Sequence, residues 1–459
     1  MRGWIAGLRR SAAALALAGM WLAAGTGAPH AESLREAMVT TYLTSPRLES
    51  GRAELRQTDE LVPQALAGYR PSLFIGSGVE GVRGQASIPG SNVRDQNRST
   101  KSVNLTVQQN LYAGGGTQAA VSRAEHLVQA QRARLYALEQ QVLLDTVDAY
   151  TAAYRDQSVL QLALNNEERL GRQLEATQDR FEVGEVARTD VAQAEARLSR
   201  ARADVEGAKA DLAASRAFYE RVVGEEPRNL EEPDLLRELP ESLTAASALA
   251  DRNPDIIAAT YDLYAARDDV DVNFSDLLPS LDLQGGLEYA DQPTVQARWA
   301  RNASLGVQLT IPLYQGGAVF SRVRESRQRV RQRRDELEFS HRSVQELVTS
   351  SWERLLAATA AIDAFEAEVR ANEIALEGVQ QEALVGARTV LDVLDAEQEL
   401  FTSQVNLVRA RREEIVAAYQ LKLAVGQLTV EGLGLPVDPF EPAAYYQAVR
   451  TRLFGLAAD

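Results

Sequence analysis

The amino-acid sequence predicts a membrane protein of mixed α and β class that contains one structural unit twice. Three observations support this prediction: motifs that recur at a constant offset, short segments in which apolar and polar residues alternate, and helices of unusual length. Together they predict a transmembrane β-barrel continued by a long α-helical barrel, both built from a tandem structural repeat.

The duplication is visible in motif pairs that lie 202 residues apart. Leu111-Tyr112-Ala113-Gly114-Gly115 recurs as Leu313-Tyr314-Gln315-Gly316-Gly317, and Val183-Gly184 recurs as Val385-Gly386. Further upstream, Pro71-Ser72-Leu73 recurs 208 residues later as Pro279-Ser280-Leu281. Because a chance repeat would not keep its register over so many positions, we interpret the chain as a tandem duplication.

The duplication divides the chain into five predicted parts. They are a signal peptide (1–31), a first repeat (32–224), an equatorial linker (225–252), a second repeat (253–426) and a C-terminal equatorial tail (427–459). The signal peptide is indicated by Arg2, Arg9 and Arg10, which precede a short run rich in Ala and Leu. Each repeat is predicted to contain a helix, two strands, a very long helix, a turn and a returning helix.

The predicted strands alternate between apolar and polar residues. Leu305, Val307, Leu309 and Ile311 alternate with more polar or small residues, and the segment 103–111 follows the same pattern. Alternation alone fits any sheet with one solvated face, but in a secreted chain it favours a transmembrane barrel. Four strands cannot close a barrel, for which about eight is the usual minimum, so several chains must contribute to one barrel.

The predicted long helices follow from the spacing of proline and glycine. Between Thr117 and Glu182 there is no proline and one glycine, so this segment predicts a single helix of about 100 Å. The returning segment 190–222 has apolar residues at alternating steps of three and four, which is typical of a coiled-coil seam, with Ser215 as one lapse. A shorter helix is predicted between Pro46 and Pro71, and another between Pro254 and Pro279.

Composition excludes several classes of function. The chain has no cysteine, which excludes disulfides, thiolate metal sites and an acylated cysteine anchor. Its formal charge of −15 argues against nucleic acid as a partner. The three histidines lie far apart in the sequence, and no nucleophile, metal or phosphate-loop pattern is present. We therefore expect no enzymatic activity, no cofactor and no metal site.

Several segments together resemble the TolC family of outer-membrane efflux and secretion proteins. They are Arg180-Phe181-Glu182-Val183-Gly184, Ile311-Pro312-Leu313-Tyr314-Gln315-Gly316-Gly317, and the run from Val385 to Ala396 that reads VGARTVLDVLDA. The resemblance covers nearly the whole chain after the predicted signal peptide. It implies a homotrimer in the bacterial outer membrane, whose twelve strands form one barrel in contact with lipid and whose twelve helices form a periplasmic tube.

The same resemblance implies a passive export duct that works with two partners. A periplasmic adaptor protein would dock at the helix tips, and an inner-membrane transporter of the ABC or RND (resistance-nodulation-division) type would supply the energy. The absence of a cysteine that could be acylated favours the branch of the family that serves type I protein secretion. Small-molecule efflux stays open as the alternative. A periplasmic coiled-coil adaptor or a structural coiled-coil protein fits less well, because neither explains the duplicated strand pairs.

Candidate gating residues lie at the start of the second returning helix. Asp392 and Asp395 are three residues apart and share a helix face. The resemblance implies that they ring the periplasmic entrance, whereas the residues alone favour acids that stabilise a helix N-terminus. It also implies that Arg388 is a latch that contacts Thr189 and Asp190, whereas the residue alone equally indicates an exposed arginine that satisfies its own turn. One departure from the family pattern is Ala383, which replaces a tyrosine.

Candidate adaptor-docking residues lie at the two helix-to-helix turns. They are Val183, Gly184, Val385 and Gly386. Glycine at these positions also has a structural interpretation, since it supplies the left-handed backbone that ends a long helix. The docking role is implied by the resemblance.

Overall fold

The computed structural model describes residues 32–86, 94–236, 238–294 and 297–455. The predicted signal peptide therefore lies outside the described residues. The fold combines one four-stranded sheet with two pairs of very long helices, as the mixed fold class predicted. No helix in the described part of the chain has both the length and the apolar character required to cross a bilayer.

Two helices of equal length are the largest elements. Helix α4 (Gly116–Glu182) and helix α8 (Ala318–Leu384) each have 67 residues, which corresponds to about 100 Å. Each is followed by a turn and a returning helix, α5 (Arg188–Val223) or α9 (Val390–Ala424). Helix α8 begins 202 residues after the start of α4 and ends 202 residues after its end, so the duplication seen in the sequence is present in the backbone.

The predicted seam of helix α5 is buried against its neighbours. Ala194, Leu198, Ala201, Val205, Ala208 and Leu212 are all buried, and so is Ser215. The Ser215 hydroxyl donates a hydrogen bond to the Leu212 carbonyl oxygen at 3.1 Å, which satisfies its polar atom inside the seam. Small alanine side chains let the paired helices approach closely along most of their length.

The short helices differ between the two repeats. The first repeat contains α1 (Leu34–Thr44), α2 (Pro46–Asp59), α3 (Leu61–Leu66) and a 3-10 turn at Ala67–Tyr69. The prediction of one helix from Pro46 to Pro71 is therefore wrong. Pro63 explains the break, because its ring has no N–H for the Asp59 carbonyl and clashes with it.

The second repeat keeps this helix continuous, and two small helices lie outside both repeats. Helix α7 (Pro254–Ser275) is unbroken and packs between α4 and α8. Asp269 on α7 bonds Arg123 of α4 at 2.6 Å and Arg329 of α8 at 2.7 Å, so one carboxylate joins both long helices. Helix α6 (Leu243–Ala250) lies in the linker and helix α10 (Ala444–Val449) lies in the tail.

The four strands form one antiparallel sheet in sequence order. They are β1 (Ser72–Ala86), β2 (Arg94–Ala113), β3 (Ser280–Asp291) and β4 (Trp299–Thr310). The register aligns apolar residues in rows, since Leu73 pairs with Val107, Val107 with Gly285, and Gly285 with Leu305. One face of the sheet is consequently apolar, yet many of its side chains are exposed in the chain, with Leu305 79% accessible.

The main hydrophobic core lies at the waist, where the helices meet the linker and the tail. Tyr150 and Tyr219 are fully buried there. The Tyr150 hydroxyl donates to the backbone oxygen of Glu32 at 2.6 Å, and the Tyr219 hydroxyl donates to the Glu32 carboxylate at 2.5 Å. Leu230 of the linker and Leu428 of the tail belong to the same core. The waist therefore joins both repeats to the segments between and after them.

Candidate entrance at the helix tips

The turn between α4 and α5 ends the first long helix with a Schellman motif. The Gly184 N–H donates to the Phe181 carbonyl at 3.0 Å, and the Glu185 N–H donates to the Arg180 carbonyl at 2.9 Å. Gly184 has φ +81°, a left-handed conformation that side chains with a Cβ adopt at a cost. A glycine at this position is therefore required by the turn itself.

The turn between α8 and α9 repeats this geometry. The Gly386 N–H donates to the Ala383 carbonyl at 3.2 Å, and the Ala387 N–H donates to the Glu382 carbonyl at 2.9 Å. The preceding valines, Val183 and Val385, are 72% and 81% exposed. A Cβ built on Gly184 or Gly386 would meet no atom within 4 Å, so both turns present an open surface with an apolar side chain.

Asp190 and Asp392 occupy equivalent third positions in the two returning helices. The Asp190 carboxylate accepts a hydrogen bond from the Ala187 N–H at 3.0 Å. The Asp392 carboxylate accepts two, from the N–H of Thr389 at 2.9 Å and from its hydroxyl at 2.8 Å. At Asp392 the capping is reciprocal, since the Thr389 hydroxyl oxygen also accepts from the Asp392 N–H at 3.3 Å, and this is the structural interpretation that the sequence left open for Asp392.

The environment of Asp392 favours its ionised form. The N–H and the hydroxyl of Thr389, together with the positive charge of Arg388, hold the pKa of Asp392 below its usual value. The carboxylate therefore keeps its negative charge at neutral pH while it caps the helix. A structural role and a charged entrance are compatible at this residue.

Asp395 forms a contact that sequence reasoning missed. Its Oδ1 atom lies 2.5 Å from Nη2 of Arg197, which joins helix α9 to helix α5. The two residues are 198 positions apart, and no local spacing pattern pairs them. Only the packing of the buried Ala194 and Leu394 between these helices brings them together.

Arg388 makes a different contact from the one that the resemblance implied. Its Nε atom donates to the Glu382 carboxylate at 2.8 Å, within its own turn. Thr189 is exposed and Asp190 is half-buried on the other hairpin. Within the described residues of the single chain, no hydrogen bond or ion pair connects either of them to Arg388. A latch role for Arg388 thus stays a prediction about the assembled protein.

Ala383 lies in the seam of the second hairpin. It packs with Val379 and Ala396 against the buried Val393 on α9. The methyl group fills a place in this apolar contact and offers no polar atom for a closing hydrogen bond.

In the described ranges, no three His, Asp or Glu side chains are grouped as metal ligands would be.

Comparison with known proteins identifies the family. A family model described as "Outer membrane efflux protein" matches residues 40–225 and 245–427. The outer membrane efflux protein BepC of Brucella suis biovar 1 (strain 1330) is 36% identical over 450 residues, which cover 97% of this chain and 96% of that protein. The chain belongs to the outer membrane efflux protein family. The family resemblance predicted from the sequence motifs is thereby confirmed.

Other outer membrane efflux proteins and secretion proteins are similar over shorter or more divergent stretches. The outer membrane protein TolC of Vibrio cholerae is 29% identical and covers 87% of this chain and 92% of that protein. The alkaline protease secretion protein AprF of Pseudomonas aeruginosa is 28% identical over 67% of this chain and 66% of that protein. The crystal structure of VceC from Vibrio cholerae superposes with a TM-score of 0.76 at 20% identity, over 86% of this chain and 96% of that one.

Membership in the outer membrane efflux protein family has two direct consequences. The family consists of channel proteins, and its place in the cell is the bacterial outer membrane, with a helical extension into the periplasm. The alternative interpretations as an adaptor or as a structural coiled-coil protein are therefore set aside. The system that the channel serves is a separate question.

Proposed function

We propose that this chain forms, as a homotrimer, the outer-membrane exit duct of a tripartite export system. The observation that carries the proposal is the isolated sheet above the long helices. Its outer strands β1 and β4 have no strand partner beyond the sheet among the described residues, and its apolar face is exposed. Unpaired strand edges cannot lie in hydrocarbon, so three copies would pair β1 of one chain with β4 of the next.

The helical part supports the proposal in the same way. Two hairpins per chain would give twelve helices in a trimer, and helices of about 100 Å would continue the barrel across the periplasm. The channel would be passive, and transport energy would come from an ABC or RND transporter in the inner membrane. The valine-glycine turns at the tips, which are open and apolar, fit the docking of a periplasmic adaptor.

The proposed cargo is protein exported by a type I secretion system. Two observations support this: the chain lacks a cysteine for acylation, and AprF is by name a protease secretion protein. Small-molecule efflux is the second candidate, because BepC, which is 36% identical over nearly the whole chain, is by name an efflux protein. The two candidates differ in what accumulates inside the cell when the duct is lost.

Deletion of the gene tests the duct and its cargo together. A type I duct predicts that specific polypeptides disappear from the medium while drug sensitivity is unchanged, whereas an efflux duct predicts increased drug sensitivity and an unchanged set of secreted proteins. Complementation with the natural gene must restore the lost phenotype. If neither property changes in a strain without a second family member, the proposed function is wrong.

A tip variant tests the docking surface separately. Gly386→Trp adds a bulky side chain where a Cβ meets no neighbour, so we expect folded, heat-labile trimers on a gel together with loss of export. Gly386→Ala adds the same left-handed backbone strain without the bulk, so it is the matched control and should retain export. Unfolded Gly386→Trp protein would show that the glycine has only a structural role.

A further inference from the structure

A row of unpaired arginines lies on the part of helix α8 that is nearest to the sheet. Between Phe320 and Arg334 the chain has seven arginines and one glutamate, although its overall formal charge is −15. Four of these arginines recur at steps of three and four residues, so they share one face of the helix. All four are exposed, and none has a hydrogen-bond or ion-pair partner among the described residues. We call this set the arginine row: Arg324, Arg327, Arg331 and Arg334.

The arginine row points away from both neighbours that α8 would have in a trimer. Arg329 of α8 bonds helix α7 of its own chain. The first repeat indicates where the other neighbour would lie, because α4 contacts the α7 that follows it through His126 and Arg134. The counterparts of these two residues on α8 are Gln328 and Glu336. At about 100° per residue, the row lies roughly 180° from the first contact and roughly 120° from the second.

This orientation places the arginine row on the outside of the tube. In a closed ring of helices, the directions from one helix to its two neighbours are both tilted towards the inside of the ring. A face that points away from both neighbours therefore lies on the outer surface. Three copies would carry three such rows around the tube.

On helix α4 the equivalent face is covered by the C-terminal tail. Arg450 of the tail bonds Glu125 of α4 at 2.8 Å, and the ring of Tyr446 lies 5.2 Å from the Arg132 guanidinium. Glu125 and Arg132 are the counterparts of Arg327 and Arg334 at the offset of 202 residues. The chain has one such tail, so on α8 the described residues leave this face open. An open row of unpaired guanidinium groups is complementary to an anionic partner.

The position of the row along α8 favours a lipid as that partner. Helix α8 begins at Ala318, shortly after strand β4, and the row extends from about 9 Å to about 24 Å beyond this start. Leu313 and Tyr314, between the strand and the helix, are 91% and 78% exposed, and Phe320 is half-exposed on the same helix face as the row. Exposed aromatic and apolar residues beside strand ends are typical of the boundary between hydrocarbon and headgroups.

We propose that the arginine row binds the phosphate groups of anionic phospholipids in the periplasmic leaflet of the outer membrane. The proposal rests on the proposed function, because it requires the sheet to lie in that membrane. The guanidinium group pairs with phosphate through two parallel hydrogen bonds, and its flexible stem extends along the helix towards the headgroups. Arg324 and Arg327 contact the lipid phosphates. Arg331 and Arg334 lie about 10 Å farther away, which is about one Debye length at 0.1 M salt, so they contribute less.

Lipid titration followed by native mass spectrometry tests the contact with the full-length protein in neutral detergent. Phosphatidylglycerol is the anionic probe, and phosphatidylcholine, which has no net charge, is the reference. Arg324→Gln/Arg327→Gln should weaken phosphatidylglycerol binding by about 25-fold, from about 5-fold for each cation near a membrane surface, and leave phosphatidylcholine binding unchanged. Arg324→Lys/Arg327→Lys keeps the charge and should retain most of the preference.

Arg331→Gln/Arg334→Gln is the matched control, because it removes the same charge from the same face farther from the sheet. We expect it to weaken phosphatidylglycerol binding by less than about 5-fold. All the replaced side chains are exposed and unpaired among the described residues, so the variants should fold like the natural protein.

Three results would overturn the proposal. Equal losses for the two glutamine variants would indicate an anionic polymer or an acidic protein that lies along the whole row. Equal weakening of both lipids would show that charge does not decide the contact. A change in ion selectivity in planar bilayers without a change in lipid binding would place the row inside the duct.

The same mass spectra separate this proposal from the proposed function. Trimers without a preference for phosphatidylglycerol would refute the lipid contact and leave the trimeric duct intact. Monomers that keep the preference, and lose it in Arg324→Gln/Arg327→Gln, would support the contact and refute the trimeric duct.

Discussion

A buried carboxylate where helix α2 ends gives the most quantitative prediction. Asp59 is completely buried, and neither of its carboxylate oxygens has a hydrogen-bond partner among the described residues. The guanidinium of Arg132 on α4 supplies a nearby positive charge and lies 5.2 Å from the ring of Tyr446 in α10. Burial raises the pKa of Asp59 to about 6, against the opposing effect of Arg132 and with a further increase from Glu60.

The magnitude follows from the difference between the folded and unfolded pKa values. A change from 3.8 to about 6 corresponds to about 3 kcal/mol of unfolding free energy. Because the folded pKa is the higher one, Asp59 stabilises the folded state fully only below about pH 4, and this contribution is lost as the pH rises through about 6. Roughly half of the loss, about 1.4 kcal/mol, falls between pH 5 and pH 8.

Asp59→Asn removes this titration while keeping the shape of the side chain. Relative to the natural protein, the variant's free energy of unfolding should increase by about 1.4 kcal/mol between pH 5 and pH 8. Any cost of burying the amide is the same at both pH values, so it does not affect this difference. For a chain of this size, that is a relative shift of about 1 to 2 °C in the unfolding temperature. Differential scanning calorimetry of the detergent-solubilised, full-length protein measures it.

The comparison with a second variant makes the test specific. Glu54→Gln removes an exposed carboxylate from the same helix, so its difference from the natural protein should not change between pH 5 and pH 8. A pH-independent difference for Asp59→Asn would refute the reasoning. A natural protein that becomes more stable relative to Asp59→Asn as the pH rises would refute it as well, because the sign would be reversed.

Two further predictions concern packing and backbone conformation near the tips. Ala194→Leu should destabilise the folded protein by about 1 to 3 kcal/mol, because Ala194 is fully buried between α5 and α9 and has no room for a larger side chain. Ala192→Leu, on the exposed face of α5, should have little effect in the same thermal unfolding assay. Gly386→Ala should destabilise by about 1 to 2 kcal/mol because of its φ of +77°, whereas Gly378→Ala inside α8 should stabilise by up to about 1 kcal/mol. Equal unfolding temperatures for the members of either pair would contradict the corresponding argument.

Much of the backbone could be predicted from local sequence signals. The absence of proline between Thr117 and Glu182 predicted a helix that begins one residue earlier in the structure and ends at the predicted residue. The one helix that was predicted wrongly also had a local cause, since Pro63 was present in the sequence and its effect on the preceding turn follows from its ring. Strand alternation likewise predicted which face of the sheet would be apolar.

In the candidate site, contacts between neighbouring residues could be predicted from the sequence, whereas contacts between distant helices could not. The sequence by itself determined the valine-glycine turns and the acid Asp392 at a helix N-terminus, because each depends on partners only a few residues away. Only the tertiary structure decided that Asp395 pairs with Arg197, 198 residues away in the sequence. The physical reason is that backbone state follows from short-range sterics and hydrogen bonding, whereas the partner of a long charged side chain depends on how distant helices are rotated and packed against each other.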